Sequence, residues 1–414
     1  SKCLIRWSQC YCNGGKVTVK KLFPTISILA LSLFSTVVSA SEKLQWHGFI
    51  AQGLIQAKDT NYINDDGDVS TELTEVGLNL SYQINQQLRF AAQAVYINGG
   101  NRYNEGGRVD YFMLDWHAYS DENDNTHIYF GRIKNYTYLY SSVRDVPMAR
   151  PSIILPQGMY FDATRDLSVG GDGVYINHKH DSENYGHFDF NISSSQSEIS
   201  DKQKQIMLGD FATGDLDHKL DVQSSVYWQP SDFSPWRFGL GALTAEFDYE
   251  KGTGDAFADG KLVLQRYTAN FNYEGEYWEF SGEVMQERFR LENLYFDGSL
   301  VDRFSQGIYG QARYNFTDKL SVLGRAERFY GNKDDRDGKT LEASSGGMIP
   351  RYFAYQHTLT LGMSYDFQPN LRLQLENHWI KGAARLTPII LPDPVTNNKE
   401  DWQVGDVFSQ NKLA

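Results

Sequence analysis

One segment of the chain, residues 132–166, combines basic and acidic side chains in a way that could select ions by charge. The segment is net +2, whereas the whole chain is net −13. A narrow passage of low dielectric constant concentrates the electric field of charged side chains, so the groups that line it determine which ions pass. Clustered arginines would favour small anions such as carboxylates. The candidate constriction residues are Arg132, Lys134, Arg144, Asp145, Arg150, Asp162, Arg165 and Asp166.

A second interpretation of these charges stays open, since exposed loops are normally charged and Arg–Asp neighbours often form structural ion pairs. Other chemistry is hard to find. The sequence has no G-x-S-x-G, no H-E-x-x-H and no G-x-x-x-x-G-K motif. His178 and His180 lie beside a turn, which favours a solvated turn over a metal site, and the acidic segments 65–68 and 334–338 lack a carboxylate at position one of a calcium loop. We predict no catalytic residue, no metal site and no cofactor.

The candidate residues lie in a segment that is unusual for an exposed loop. It runs from Lys134 to Gly170 and includes the apolar, proline-flanked stretch 151–156, followed by Met159, Tyr160 and Phe161. Apolar side chains gain free energy by leaving water. We therefore expect this loop to be buried inside the protein.

The elements around the loop alternate between apolar and polar side chains. Runs of about ten residues recur between Leu44 and Lys381, and alternation is expected where one face of a strand meets an apolar medium and the other meets water. A soluble β-sandwich also alternates, so the strands alone leave two fold classes open. The clearest runs cover residues 76–82, 88–96, 266–273 and 371–376.

The links between the strands separate these two classes, because short and long links alternate strictly. A transmembrane barrel has tight turns at one rim and extended loops at the other, whereas a Greek-key sandwich has no reason to keep this order. The short links are 85–87, 121–125, 181–186, 230–235, 274–275, 317–319 and 368–370. The long links are 59–72, 100–108, 134–170, 196–217, 250–260, 291–301, 331–351 and 382–399.

Fifteen strands can be counted, and the eighth long link requires a sixteenth strand near residues 401–414. We predict an all-β fold: a transmembrane antiparallel β-barrel of about 16 strands whose long third loop folds into the lumen. A barrel of this width can hold a water-filled channel. Alternation weakens after Val404, so the final strand is expected to be disrupted.

The N-terminal residues lie outside the predicted barrel, which covers residues 41–414. Residues 17–40 have a basic start, an apolar middle and a small-residue end, which predicts a secretory signal peptide; a transmembrane anchor is the alternative. Residues 1–16 fit neither element, contain all three cysteines and are interpreted as translated upstream sequence. Removing residues 1–40 would leave a net charge of −18, which argues against a nucleic-acid partner.

One motif resembles the trimeric porins of Gram-negative bacteria. Tyr129-Phe130-Gly131-Arg132 ends a strand and precedes a long loop with acidic residues and prolines, which leads into the strand 173–176. The resemblance implies that Arg132 lines the constriction and that Asp145, Asp162 or Asp166 opposes it from the loop. The Arg-rich loop is closer to substrate-selective porins, including the phosphate-selective type. Placing Arg132 in the lumen also places Phe130 there, so either the strand carries a bulge or the ring contacts the loop.

These features predict a porin of the Gram-negative outer membrane that passes small hydrophilic solutes passively and favours small anions, and not an enzyme. The implied partners are outer-membrane lipid, lipopolysaccharide, the solutes themselves and two further copies of the chain in a homotrimer. Two alternatives stay open: an outer-membrane lipase or protease with a Ser/His or Asp/His set at the outer rim, and a structural or adhesive barrel with a plugged lumen.

Overall fold

The computed structural model describes residues 43–63, 67–103, 105–162, 165, 170–209, 212–255, 257–386 and 399–413. The interpretations of residues 1–16 and 17–40 and the prediction for Asp166 concern positions outside these residues.

Strand segments in the described residues form one closed antiparallel sheet. They are β1 (Leu44–Lys58), β2 (Thr74–Gln83), β3 (Leu88–Asn98), β4 (Gly106–Ser120), β5 (Asp124–Lys134), β6 (Gly170–Ser182), β7 (Gly186–Gln196), β8 (Asp215–His218), β9 (Asp221–Gln229), β10 (Trp236–Glu250), β11 (Gly260–Glu274), β12 (Trp278–Glu292), β13 (Leu300–Asn315), β14 (Leu320–Tyr330), β15 (Tyr355–Gln368), β16 (Leu371–Gly382) and β17 (Asp401–Leu413).

The barrel has sixteen strands, as predicted, because β8 and β9 are two pieces of one strand. Both pieces pair with β10, and the interruption covers only Lys219 and Leu220. The backbone amide of Lys219 still donates to the carbonyl of Glu246, 2.8 Å away, so the pairing with β10 continues across the break. The predicted order of short and long links is confirmed, with the short turns at one rim and the long loops at the other.

The helices in the described residues lie in the long loops. They are α1 (Asp201–Leu208), α2 (Lys339–Ser344) and short 3₁₀ turns at Gly100–Arg102, Pro147–Ala149 and Arg351–Ala354. In the described part of the chain, no helix has the length and apolar character needed to cross a membrane.

The two faces of the sheet differ as the alternation predicts. Outward side chains such as Leu78, Tyr267 and Leu361 are large, apolar and exposed, whereas inward neighbours such as Gln93 and Gln374 are polar and buried. A soluble sandwich would bury its apolar face between sheets. A closed sheet with its apolar face outward is a transmembrane β-barrel.

The barrel closes through β17, which pairs with β16 on one side and with β1 on the other along most of its length. The expected disruption after Val404 is therefore absent from residues 401–413. Alternation continues there with mixed polarity: Trp402, Val404 and Phe408 point inward and are buried together with Asp406 and Gln410. The apolar inward residues Trp402, Val404 and Phe408 belong to a buried cluster with Ile153 and Ile154 of the third loop, which is why they do not follow the polar-inward pattern of the other strands.

Candidate functional site

The described residues of the third loop, 135–162 and 165, fold into the barrel as the sequence predicts and are hereafter called L3. Its apolar stretch places Ile153 and Ile154 in a buried cluster with Ile55, Trp402 and Phe408 of the closing strands. Every residue from Ser152 to Tyr160 is buried. L3 therefore forms a layer across the lumen, between a compartment at the turn end and one at the loop end.

Inward arginines of the wall hold the backbone of L3. Arg313 donates to the carbonyl of Pro151 at 2.7 Å, Arg325 donates to the carbonyl of Ile154 at 2.9 Å, and Arg372 donates to the carbonyl of Met148 at 3.3 Å. Buried carbonyl groups need donors. These three wall side chains supply such donors and so help to fix the position of L3.

Inward glutamates hold the backbone amides of L3 in the same way. Glu283 accepts hydrogen bonds from the amide of Leu139 at 2.8 Å and from the hydroxyl of Tyr160 at 2.6 Å. Glu376 accepts one from the amide of Ile153 at 2.6 Å. Burial beside Glu283 raises the pKa of Tyr160 well above its ordinary value, so this phenol stays protonated and remains a donor.

Two wall glycines let the backbone of L3 approach the sheet. A Cβ atom on Gly241 would lie 2.5 Å from the carbonyl oxygen of Thr137, and one on Gly307 would lie 2.9 Å from that of Gly158. Any side chain at these positions would force the loop away from the wall.

Arg132 lies elsewhere than predicted, on the outer face of the barrel. It is directly opposite Asp172, and the next outward pair on the same strands is Phe130 with Val174, both exposed. Two hydrogen bonds of 3.0 and 3.1 Å join Arg132 to Asp172, whose side chain is 62 % exposed. The expected place of Arg132 in the pore wall is therefore corrected: alternation along β5 keeps it on the same face as Phe130.

Two predicted site residues connect L3 to the wall through buried ion pairs. Lys134 lies 2.6 Å from Asp110 of β4 and donates to the carbonyl of Ser142 at 3.1 Å. Arg150 Nη2 donates to both carboxylate oxygens of Glu75 on β2, at 2.9 and 3.0 Å. All four charged side chains are almost completely buried.

The remaining predicted residues in the described part of L3 pair with one another. Arg144 contacts Asp162 at 3.2 Å, and Arg165 pairs with Asp145. Asp162 also contacts Arg102 of the second long loop at 3.4 Å. The structure therefore brings the charges of L3 together as a buried network, which matches the structural-pair interpretation more closely than a row of free cations.

Below L3, at the turn end, the inward charges are mixed rather than sorted by sign. Each arginine there lies against a carboxylate of another strand. The pairs are Arg89–Asp115 at 2.7 Å, Arg237–Asp189 at 3.3 Å, Arg313–Glu279 at 3.1 Å and Arg372–Asp366 at 2.6 Å. The wall of the lumen at this end is therefore polar, but its charges are paired.

Above L3, at the loop end, lies a cavity of about 520 Å³ with aromatic and charged walls. Arg266 on its wall pairs with Glu287 at 2.6 Å and donates to the hydroxyl of Tyr138 at 2.8 Å. Arg385 has a different environment. Its guanidinium lies 3.5 Å from the centre of the Phe329 ring and donates to the carbonyl of Gly158 at 3.0 Å.

Arg385 has no carboxylate within ion-pair distance among the described residues. Arg385 lies in the eighth long link, outside any strand pattern, so the sequence does not single it out. The only signal was its position in a short stretch, Ala383-Ala384-Arg385-Leu386, whose small and apolar residues suit a buried site.

No protein-family model matches the chain, and no curated protein sequence matches it. Several solved structures are similar. An anion-selective porin from Comamonas acidovorans is 12 % identical, with 89 % of this chain and 99 % of that chain covered and a TM-score of 0.56.

Two further solved structures are similar to the chain over most of its length. OmpF of Salmonella typhi, in complex with daunomycin, is 14 % identical, with coverages of 91 % and 99 % and a TM-score of 0.53. OmpT, an outer membrane protein of Vibrio cholerae, in its trimer form, is 12 % identical, with coverages of 89 % and 99 % and a TM-score of 0.52. At these identities the likeness concerns the fold, and the chain has the fold of the outer-membrane porins.

Proposed function

We propose that the protein is an outer-membrane porin through which small hydrophilic solutes diffuse passively, with L3 as its constriction. The observation that carries the proposal is a closed barrel with a polar interior, whose longest loop lies across the lumen and is fixed there by wall arginines and glutamates. A loop held at many points sets a passage of constant size, which is what a size filter requires.

We keep the anion preference expected from the sequence, but we assign it to Arg385 and no longer to the arginines of L3. The described arginines of L3 each lie against a carboxylate, with Asp162 shared between Arg144 and Arg102, so their fields are reduced at the distance of a passing solute. Arg385 lies at the cavity above L3 without a carboxylate partner among the described residues. An uncompensated guanidinium at the entrance attracts anions and can bind a carboxylate or phosphate through its forked N–H groups.

Planar-bilayer recording tests both parts of the proposal. We expect steady single-channel conductance and, in a KCl gradient, a reversal potential that shows anion preference. Arg385→Met should shift the reversal potential toward cation preference, whereas Arg132→Met, on the outer face, should leave it unchanged. Absence of steady conductance would show a plugged barrel, and a selectivity change in Arg132→Met instead of Arg385→Met would refute the assignment.

We further propose that the protein is not an enzyme. An enzymatic role would need an Asp/His or Ser/His set at the outer rim. The close Asp–His pairs at the ends of the described strands lie at the turn rim: His180 with Asp124 and His187 with Asp181. Purified protein should therefore not hydrolyse ester or peptide substrates, and turnover that is lost on mutation of loop-rim residues would favour the enzyme alternative.

We also propose a homotrimer embedded in outer-membrane lipid and lipopolysaccharide. The outer face near the closing strands carries polar and small residues on either side of one apolar row, which consists of Leu54, Val407 and Leu375. Polar side chains facing lipid are unfavourable, so a second protein surface is the better cover for them. This seam patch consists of Gln52, Gln56, Asn377, Gln403, Gly405 and Ser409.

A further inference from the structure

Three inward side chains converge in the wall beneath L3. Glu376 and His378 lie two residues apart on β16 and therefore share a face, and Asp406 of β17 is directly opposite Glu376. His378 Nε2 lies 3.2 Å from a carboxylate oxygen of each neighbour, and one potential ligand atom from each residue lies within 4.8 Å of the others. All three side chains are buried.

The contacts inside this cluster do not satisfy its polar atoms. Although the distances are short, His378 Nε2 and both carboxylate oxygens of Asp406 have no hydrogen-bond partner in a suitable direction. Buried carboxylate oxygens without a partner are costly. These three atoms, one of His378 and two of Asp406, lie close enough to share one ligand with Glu376.

The other ring nitrogen of His378 prepares Nε2 for a metal ion. Nδ1 lies 2.9 Å from the hydroxyl oxygen of Thr360 on β15. When Nδ1–H donates to this oxygen, Nε2 carries the lone pair. Metal-binding histidines are usually oriented by such a hydrogen bond from the opposite nitrogen. A neutral imidazole and two carboxylates then form a buried site with a charge of −2.

We propose that Glu376, His378 and Asp406 bind a divalent first-row transition-metal ion such as Zn²⁺. One nitrogen and two carboxylate donors suit this class, with water in the remaining positions, and the ion's charge balances the two carboxylates. Glu376 also accepts the amide hydrogen of Ile153. The bound ion thus fixes the wall residue that holds the tip of L3, which makes it a structural site at the constriction.

The sequence contains only part of the signal for this site. Glu376 and His378 have the spacing of two inward residues on a strand, but the third ligand is about 30 residues away on a strand whose inward face mixes apolar and polar residues. The inference does not rest on the channel function, because metal binding is measured without transport.

Zinc titration of the purified, folded protein after EDTA treatment and dialysis tests the site. We expect one tightly bound Zn²⁺ per chain by calorimetry and elemental analysis. His378→Ala and Asp406→Asn should each lose this ion, whereas His357→Ala, a histidine of β15 on the opposite face, should keep it. Wild-type protein that binds no Zn²⁺, or stoichiometric binding that persists in His378→Ala, would overturn the proposal.

If a variant does not fold, X-ray absorption at the zinc edge of the wild-type protein identifies the ligands of the bound ion. The loaded wild-type protein should show one imidazole nitrogen and oxygen donors at about 2.0–2.2 Å. A shell with two or more imidazoles would place the ion at exposed histidines such as His178 and His180, and a shell of oxygen alone would exclude His378. Either result contradicts the site.

Discussion

Individual charges of L3 act by fixing the loop, and Arg150 is the clearest case. Its ion pair with Glu75 joins L3 to β2, and both side chains are nearly fully buried. Breaking one partner of a buried pair leaves an uncompensated charge, at a cost of about 3–5 kcal/mol. Arg150→Met should therefore lower the free energy of unfolding by this amount, as measured by urea titration in lipid vesicles.

Arg132 provides the matched control, since its pair with Asp172 is exposed on the outer face. Arg132→Met should change the free energy of unfolding by about 0–1 kcal/mol, the usual value for a surface pair. Adding Glu75→Gln to Arg150→Met should restore part of the loss, because the double variant buries no lone charge. Equal effects of Arg150→Met and Arg132→Met would show that the buried pair does not hold L3.

Among the elements, L3 depends on the close approach of its first residues to β10. The carbonyl of Thr137 occupies the space that a side chain at Gly241 would need. Gly241→Ala should displace this part of the loop and destabilise the protein by about 1–3 kcal/mol, as overpacking does. It should also make the single-channel current noisier, since a displaced loop samples several positions.

Gly310→Ala is the control for this change, because a Cβ atom at Gly310 on β13 has open space around it. It should leave both the unfolding free energy and the current noise unchanged. Steady current and unaltered stability in Gly241→Ala would mean that L3 does not rest against β10.

The same elements show how far the sequence predicts the structure. Strand number, link order and the burial of L3 follow from period-two alternation and from the apolar stretch 151–156, because both are local patterns. The pairing of β17 does not follow from the local pattern, because three of its inward residues, Trp402, Val404 and Phe408, are apolar and pack with a loop some 250 residues away. The family resemblance implies that Arg132 lies in the lumen. The alternation of its own strand indicates the outer face instead, because Phe130, two residues earlier, points outward.

The ion pairs were the least predictable part of the site. Five basic residues within or beside L3, four arginines and one lysine, are visible in the sequence, but three of their partners, Glu75, Asp110 and Asp172, come from three other strands. Whether a basic side chain of the loop has a carboxylate partner depends on how strands that are distant in sequence align with it in the barrel. Composition therefore indicated a charged loop, but not which arginine, Arg385, lacks a carboxylate partner among the described residues.

At the scale of the whole molecule, the seam patch predicts where copies of the chain meet. Gln52 of β1 lies directly opposite Ser409 of β17, and both are exposed on the outer face. If a second copy covers them, a bulky side chain there disrupts its packing, whereas lipid would accept the same side chain readily. Ser409→Trp should therefore convert the trimer to monomers on native gels and by mass photometry in detergent.

A tryptophan on the far side of the barrel is the control: it shows whether any bulky residue on the outer face changes the oligomeric state. Leu240 of β10 is exposed on the outer face among Trp228 and Phe238, where lipid contact is expected. Leu240→Trp should leave the oligomeric state unchanged, and both variants should retain the heat-modifiable gel mobility of a folded barrel. A trimer that persists in Ser409→Trp would assign the seam patch to another contact, such as the polar headgroups of lipopolysaccharide. A monomeric wild-type protein would leave these polar side chains facing lipid, and the proposed trimer would then be wrong.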